Sequence, residues 1–353
     1  MRFSLSKMMF LTKLRNQVLF IPSKEAKDLT KMPPSFARFV VLICSRFVMF
    51  GLNALEAFVI KPVFFFQGYG VKYGAFCGVF DGHGKNGQIV SRIVRDQLPS
   101  LVLDQKSALA KMEVTNNRSQ KIGIERLDGE EAPSNEFYKW QEACVGAFKV
   151  MDKEVKLQEN LDCSCSGTTA VVVIRQGEDL VTANLGDSRA VLGTVSEKGE
   201  VKAVQLTTDL KPGLPSEAER IRKCNGRVLA LKEEPHIPRV WLPHEDFPGL
   251  AMSRAFGDFL LKNHGVISVP DVCYHRLTSR DQFVVLATDG VFDVLSSSQV
   301  ASIVSEAGNE QEATRAVVEA ATVAWKNKFP SSKVDDCTAV CLYLQNRQQR
   351  QLS

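Results

Sequence analysis

The stretch Gly78–Gly87, which reads GVFDGHGKNG, places an aspartate, a histidine and several glycines between two regular elements. Before it, Ala75–Phe80 is rich in β-forming residues and is predicted as a strand. After it, Ile89–Leu98 carries apolar residues at helical spacing and is predicted as a helix. The polar residues of the stretch therefore lie on a turn that joins a strand to a helix.

The first interpretation of this turn is a dinucleotide-binding site. Gly82, Gly84 and Gly87 fit the pattern G-x-G-x-x-G, which follows a strand and opens a helix in such sites. Asp104 lies at about the right distance to meet a ribose. The pattern is weak by itself, and it requires a parallel sheet.

The second interpretation is a metal site. Asp81 would be a ligand at the strand end, the carbonyl of Gly82 is free of side-chain cover, and His83 would donate a proton beside it. The stretch alone does not decide between the two interpretations.

Aspartates recur at the ends of other predicted strands, and this favours the metal site. They are Asp187, Asp289 and Asp335. Any single Asp-Gly pair is more often just a turn. Four strand-end aspartates together indicate one cluster, because Mg²⁺ and Mn²⁺ prefer several oxygen ligands from carboxylates, carbonyls and water.

The remaining pattern predicts an α+β domain whose elements pack in layers. The predicted strands are Ala75–Phe80, Thr168–Ile174, Leu180–Asn184, Gln282–Thr288 and Thr338–Leu344. The predicted helices are Ile89–Leu98, a short helix opened by a capping box at Ser216–Glu219, and Gln311–Lys328. Between them, Lys111–Ser134 is predicted as a solvated loop.

Charge divides the chain of 353 residues near residue 67. The whole chain has a net charge of +4, but residues 1–67 have a net charge of +7 and hold 11 of the 21 Phe. The apolar stretch Phe39–Ile60 contains Arg46, and a central Arg costs about 2.5–3.5 kcal/mol on insertion scales, which disfavours a membrane span. We therefore predict a basic, irregular or helical extension over 1–67, a domain over 68–346 and a tail over 347–353.

Taken together, the motifs resemble the PPM-type metal-dependent serine/threonine phosphatases, the protein phosphatase 2C family, and especially its plant members. The matching stretches, in family order, are Phe76–Gly84, Ser166–Ala170, Asn184–Ala190, Ala251–Asp258, Ala287–Val294 and Asp335–Thr338. They extend over roughly four-fifths of the chain. The resemblance implies a sandwich of two antiparallel β-sheets flanked by helices, with the metals at one edge.

The resemblance also implies metal ligands. Asp81 matches the aspartate that bridges two ions, and Gly82 matches the residue that lends its carbonyl. Asp289 and Asp335 match the other ligands of the first ion. Asp187, together with Asp289, matches a weaker third site. The implied cofactors are two ions of Mg²⁺ or Mn²⁺, with a third at that weaker site.

The resemblance implies that Asp81 and His83 are catalytic residues. His83 matches the proposed general acid, which protonates the leaving alkoxide. Two divalent ions lower the pKa of water enough for it to attack the phosphorus near neutral pH. Asp258, at the end of a hallmark segment, is predicted to be structural. Arg189 and Arg254 are predicted to be partners of nearby acids rather than phosphate binders.

The N-terminal region departs from the family pattern. Members carry an acidic pair or Gln-Asp some 20-odd residues before the bridging aspartate, followed by a basic residue for the substrate phosphate. Here Ala54 and Leu55 occupy the place of the pair, and Lys61 is the nearest cation after it. Glu56 is the nearest carboxylate and thus the candidate substitute ligand for the second ion.

The leading hypothesis is Mg²⁺- or Mn²⁺-dependent hydrolysis of phosphoserine and phosphothreonine in proteins. The alternative, favoured by Ala54 and Leu55, is a weak or inactive member that binds phosphoproteins. Phosphorylated proteins are the expected partners, nucleic acid is not, and the expected state is a monomer. An odd number of scattered cysteines indicates a reducing compartment, so we expect the cytoplasm or nucleus, with membrane association through the N-terminal apolar stretch as the alternative.

Overall fold

The structure of the protein is a computed structural model, and it describes residues 43–46, 63–67, 69–70, 74–116, 135–307, 309–330 and 334–344. Its strands are β1 (Ile43–Arg46), β2 (Val63–Gln67), β3 (Ala75–Val79), β4 (Gly82–His83), β5 (Gly167–Thr168), β6 (Ala170–Gln176), β7 (Asp179–Leu185), β8 (Arg189–Val195), β9 (Val201–Gln205), β10 (Arg227–Ala230), β11 (Pro238–Trp241), β12 (Pro248–Leu250), β13 (Phe256–Gly257), β14 (Asp271–Arg276), β15 (Asp281–Ala287) and β16 (Cys337–Tyr343). Its helices are α1 (Gly87–Asn116), α2 (Asn135–Lys156), α3 (Pro215–Lys223), α4 (Phe259–Lys262), α5 (Asp289–Phe292), α6 (Ser297–Glu306) and α7 (Glu310–Lys328). No helix within these ranges is long and apolar enough to cross a membrane.

Two five-stranded sheets form the centre of the fold. Their strand orders are β1-β16-β15-β8-β9 and β14-β7-β6-β3-β2, and neighbouring strands in both are antiparallel. Side chains alternate between the two faces of a strand, and central strands such as β3 and β15 are buried on both faces. In β15, Val284 and Leu286 pack with residues of the other sheet, whereas Phe283 and Val285 pack with helices.

Helices cover the outer face of each sheet. Large side chains of α2, such as Trp140 and Phe148, pack with Phe76 of β3 and with apolar residues of α1. On the other side, α5, α6 and α7 pack on β15 and β16. The result is a four-layer arrangement, which confirms the predicted α+β sandwich flanked by helices.

The antiparallel topology also decides between the two interpretations of the Gly-rich turn. A dinucleotide site needs parallel strands, and the two central sheets are antiparallel throughout the described strands. Gly82 belongs to β4, which pairs with β5 in a small antiparallel sheet, and Asp104 lies within α1. The dinucleotide-binding interpretation is therefore wrong.

All five predicted strands are confirmed within a few residues, but two local predictions need correction. The predicted capping box at Ser216–Glu219 is wrong, because α3 begins at Pro215 and its start has no side-chain cap. A true capping box opens α6, where Ser296 and Gln299 bond each other's backbone N–H groups. The predicted loop Lys111–Ser134 is wrong over its first residues, since α1 continues to Asn116; residues 117–134 lie outside the described residues.

The prediction of an irregular or helical N-terminal extension is wrong at two places. Ile43–Arg46 forms β1 and pairs with β16, and Val63–Gln67 forms β2 and pairs with β3. Each is the edge strand of its sheet, so β16 and β3 are paired on both sides. The sheets therefore begin before residue 68, while the other residues of 1–67, including Glu56, lie outside the described residues.

Candidate metal centre and catalytic site

Strand order brings three of the predicted aspartates to one edge of one sheet. Asp187 lies just before β8 and Asp289 just after β15. These strands are antiparallel neighbours, and Arg189 pairs with Ala287 at this edge. Because the start of β16 pairs with the end of β15, Asp335 approaches the same edge.

Asp81 comes from the other sheet and is tied to the Asp187 turn through Thr169. The N–H of Asp81 donates to the Thr169 hydroxyl at 3.1 Å, and the Thr169 N–H donates to the Asp81 carbonyl at 2.8 Å. The Thr169 hydroxyl also shares a hydrogen bond of 2.9 Å with the hydroxyl of Ser188. A buried polar chain thus joins the two aspartate turns across the sandwich.

Asp187 is the aspartate most affected by this arrangement. Its side chain is buried, with only 4% of the residue exposed. Its pKa is raised well above the ordinary value, first because burial disfavours the charge and next because the Asp289 carboxylate is close. Asp81 and Asp293 act in the same direction. The edge therefore concentrates negative charge in a buried place.

Lys211 is the cation that faces this charge. Its ammonium group donates to Asp293 Oδ1 at 3.1 Å. Burial opposes the charge on Lys211, but the carboxylates of Asp187 and Asp293 outweigh burial and raise its pKa. The sequence analysis missed both residues. Asp293 lies in the quoted segment after Asp289, whereas Lys211 has no motif that could have marked it.

His83 lies beside the aspartates and is paired with Asp258. Its Nε2 lies 2.6 Å from Asp258 Oδ2. Burial alone would lower the pKa of His83, but Asp258 first, and then the charges of Asp81 and Asp187, raise it above the ordinary value. The Asp258 segment, predicted to be structural, therefore contacts the predicted general acid directly.

Local structure alone accounts for the positions of two predicted ligands, Asp335 and Gly82. Asp335 is exposed, and its carboxylate accepts the N–H of Asp336 at 2.7 Å. A Cβ on Gly82 would collide with the backbone of Gly87, so close packing alone accounts for that glycine. Glu56 lies outside the described residues.

The two arginines behave as predicted. Arg189 forms a two-bond ion pair with Asp209, at 2.9 and 2.5 Å. Arg254 forms a similar pair with Glu217, at 3.0 and 2.7 Å. Both guanidinium groups are thus engaged with acids, and the interpretation as partners of nearby acids is confirmed.

A pocket of about 540 Å³ lies far from these residues. Its lining includes Val195, Lys198, His275 and Asp281, at the opposite ends of β8 and β15 from the aspartates. It therefore has no part in the candidate metal centre.

The donor chemistry of the aspartate edge fits hard divalent cations. Carboxylates are the oxygen ligands that Mg²⁺ and Mn²⁺ prefer, and the charge around Asp187 is predominantly negative. Within the described part of the chain, no three acidic, His or Cys side chains lie close enough to form a ready metal-binding group. The aspartate cluster that the sequence indicates is therefore not a ready-made metal-binding group among these residues.

Comparisons with known proteins point to one protein family. A family profile described as "Protein phosphatase 2C" matches residues 70–328. The "Probable protein phosphatase 2C 72" of Arabidopsis thaliana is 55% identical over 285 residues, which cover 80% of this chain and 81% of that protein. The "Probable protein phosphatase 2C 12" of Oryza sativa subsp. japonica is 50% identical over 294 residues, which cover 79% of this chain and 76% of that protein.

Solved structures show the same fold. A serine-threonine phosphatase 2C from Toxoplasma gondii is 26% identical and superposes with a TM-score of 0.66, covering 89% of this chain and 98% of that chain. A sex determining protein of C. elegans, 20% identical, shares the fold with a TM-score of 0.62, covering 89% of this chain and 67% of that chain. The chain therefore belongs to the protein phosphatase 2C family of protein phosphatases, as its motifs predicted.

Proposed function

We propose that this protein hydrolyses phosphoserine and phosphothreonine in other proteins with the help of bound Mg²⁺ or Mn²⁺. The observation that carries the proposal is the buried edge where Asp187 lies among the charges of Asp289 and Asp81. A carboxylate in such surroundings is stabilised by cations. Divalent ions bound there would lower the pKa of water and neutralise charge on the phosphoryl oxygens.

The proposed ligands follow the family pattern. Asp81 and the carbonyl of Gly82 would hold the bridged pair of ions, and Asp289 and Asp335 would complete the first site. Asp187, with Asp289, would hold a third ion. The polar chain through Thr169 supports this set, because it keeps the Asp81 and Asp187 turns together without using their carboxylates.

His83 is proposed as the acid that protonates the leaving group. A serine or threonine alkoxide is a strong base, so its departure requires a proton. Asp258 raises the pKa of His83 above its ordinary value against the effect of burial, which favours the protonated form of the ring. The site thus combines a place for cations with a proton donor next to it.

Phosphatase assays with the full chain test the proposal. We expect hydrolysis of p-nitrophenyl phosphate and of a phosphothreonine peptide that requires Mn²⁺ or Mg²⁺, stops with excess EDTA and continues with okadaic acid. Hydrolysis that persists without divalent ions would contradict the metal-dependent mechanism. Inactivity at saturating metal, combined with binding of the phosphopeptide, would instead favour the phosphoprotein-binding alternative suggested by Ala54 and Leu55.

A second assay concerns the metal requirement. Loss of one carboxylate from a hard-cation site costs a few kcal/mol, and about 1.4 kcal/mol corresponds to a factor of ten. The chain should therefore need ten- to several-hundredfold more Mn²⁺ than a variant carrying Ala54→Gln and Leu55→Asp. Glu56→Gln should abolish the residual activity if Glu56 is the substitute ligand. Equal metal requirements for both chains would show that no ligand is missing.

We also propose the partners, the oligomeric state and the location of the protein. Phosphorylated proteins are the proposed partners, and the net charge of +4 gives no basis for nucleic acid as a ligand. We propose that the protein acts as a monomer in the cytoplasm or nucleus.

A further inference from the structure

A small three-stranded sheet places a histidine and an aspartate on either side of a glycine. In the sheet β13-β5-β4, His83 pairs with Gly167, and Gly167 pairs with Gly257. Asp258 follows Gly257 directly. The His83 ring therefore reaches across the bare backbone of Gly167 to meet the Asp258 carboxylate at 2.6 Å.

Gly167 is required for this contact. A Cβ at that position would collide with Asp258 Oδ2 and would lie 2.9 Å from His83 Nε2. Real Cβ atoms do not approach heavy atoms so closely, and the backbone carbonyl of Phe256 would be nearer still, so a side chain at residue 167 would displace β13 together with the Asp258 carboxylate. The glycine of the Ser166–Ala170 motif thus has a specific physical purpose.

Asp258 is held in place independently of the histidine. It is 2% exposed and has a positive φ of 49°, a conformation that is strained for a residue other than glycine. Its N–H donates to the Ser166 carbonyl at 3.0 Å, and its carbonyl accepts the Leu261 N–H at 2.9 Å. Asp152 anchors the same strand by accepting the Gly257 N–H at 3.0 Å. The carboxylate is therefore a fixed acceptor, and the ring must adapt to it.

The hydrogen bond determines which nitrogen of His83 is free. An ionised carboxylate only accepts hydrogen bonds, so Nε2 carries the hydrogen that is donated to Asp258. The other nitrogen, Nδ1, is buried and has no hydrogen-bond partner in the described part of the structure. Nδ1 is thus the ring nitrogen that no described protein group engages, and it can bond a group that arrives during the reaction.

We infer that Asp258 is the positioning residue for proton transfer: it holds Nε2–H of His83 and leaves Nδ1 to give the proton to the departing serine or threonine oxygen. The inference rests on the proposed phosphatase function. In the step, a water oxygen forms the new bond to phosphorus, and the P–Oγ bond breaks with its electron pair on Oγ. The Nδ1 proton of the imidazolium moves to Oγ, which leaves a neutral ring still bonded to Asp258 through Nε2–H.

The first test compares two leaving groups in the full chain with metal. p-Nitrophenolate leaves without a proton, whereas the alkoxide of a phosphoserine peptide needs one. We expect Asp258→Asn to lower kcat on the phosphoserine peptide by about ten- to a hundredfold and on p-nitrophenyl phosphate by less than about threefold. Asp152→Asn is the matched control, because it perturbs the same strand without touching His83, and it should affect both substrates equally.

His83→Gln separates failure of the inference from failure of the proposed function. If His83→Gln loses activity selectively on the peptide but Asp258→Asn loses it equally on both substrates, Asp258 is merely structural and the inference is overturned while the function stands. If the unmodified chain hydrolyses neither substrate, the proposed function fails, and a spectroscopic measurement decides the inference.

That measurement is the ¹⁵N NMR spectrum of the His83 ring in the metal-free full chain, at a pH where the ring is neutral, assigned by the signal missing in His83→Gln. We expect a protonated Nε2 and an unprotonated Nδ1, with loss of the protected Nε2–H signal in Asp258→Asn but not in Asp152→Asn. A proton on Nδ1 in the unmodified chain would overturn the inference.

Discussion

Asp187 and Glu217 are both buried carboxylates, exposed by only 4% and 1%, yet their surroundings shift their pKa values in opposite directions. Burial raises the pKa of both groups. At Asp187 the next contribution is the charge of Asp289, so its pKa stays well above the ordinary value. At Glu217 the partners overcome burial and bring its pKa down to about 2.

The partners of Glu217 explain the difference. Arg220 donates to it at 2.6 and 2.7 Å, Arg254 at 3.0 and 2.7 Å, and the Ser253 hydroxyl at 2.5 Å. The single carboxylate is thus bonded by two guanidinium groups and a hydroxyl, and the cluster ties α3 to the segment before β13. Asp187 has instead a surplus of acids around it, opposed by Lys211.

The comparison distinguishes two purposes of a buried carboxylate. A fully paired group such as Glu217 stabilises the fold, because its charged form makes more favourable contacts than it has in the unfolded chain. A group among like charges, such as Asp187, lowers the stability of the fold unless a cation binds. Groups whose pKa values are shifted in this way concentrate at functional sites. Substitutions at Asp289, Glu217 and Asp187 test whether the two regions differ in this way.

The largest effect is expected for Asp289→Asn. Metal ions contribute several kcal/mol to phosphoryl transfer, so loss of this proposed ligand should lower kcat by about 10²- to 10³-fold. The melting temperature of the metal-free variant should not fall, because the substitution removes a charge from the crowded edge. Steady-state assays and thermal melts measure the two quantities. Loss of stability in parallel with activity would show that Asp289 belongs with Glu217 rather than with Asp187.

Glu217→Gln should show the reverse pattern, with lower stability. A pKa of about 2 in the folded protein against 4.5 in the unfolded chain corresponds to about 3 kcal/mol. Because the folded pKa is lowered, this stabilisation is complete above pH 4.5 and is lost as the pH falls towards 2. Urea unfolding at pH 7 and at pH 3.5 should therefore show a large difference from the unmodified chain that narrows in acid.

Glu219→Gln is the matched control for this measurement. Glu219 is 66% exposed and pairs with Lys223 one helical turn away, so its loss should change the free energy of unfolding by less than about 0.5 kcal/mol. A difference for Glu217→Gln that stays the same at both pH values would contradict the pairing as its cause.

The smallest effect, and the one with the opposite sign, is expected for Asp187→Asn without metal. The folded pKa of Asp187 is raised above 3.8, so the ionised group costs stability at neutral pH, and the cost disappears as the pH falls below 3.8. The variant should therefore be more stable by about 1 kcal/mol at pH 7, or about 2 °C in melting temperature. Added Mn²⁺ should stabilise the unmodified chain more than the variant. A less stable metal-free variant would show that Asp187 is paired after all.

Part of the candidate site could be predicted because it depends on local sequence. Asp81, Asp187 and Asp289 each follow a run of β-forming residues, and the end of such a run is visible without a structure. Lys211 could not be predicted, since it lies in a segment without a motif and acts through its approach to Asp293, 82 residues away. The contact of Asp258 with His83 could not be predicted either, because the two residues lie 175 positions apart in the sequence.

The fold divides in the same way. Strand positions in the body of the chain could be predicted from alternation and β-propensity, because these depend on neighbouring residues. The two N-terminal strands could not, because β1 and β2 pair with edges offered by β16 and β3, which lie elsewhere in the sequence. Edge pairing is a tertiary event, and local propensity there is a poor guide.

The sequence by itself determined the family, the layered α+β class and the presence of aspartates at strand ends, since all three depend on residue type and local spacing. Only the tertiary structure decided what each buried carboxylate meets. Asp187 and Glu217 are both acids in the linear sequence, but packing brings Asp289 to one and Arg254 to the other. The free energy of a buried charge depends on the groups within a few ångströms, and those groups come from distant parts of the chain.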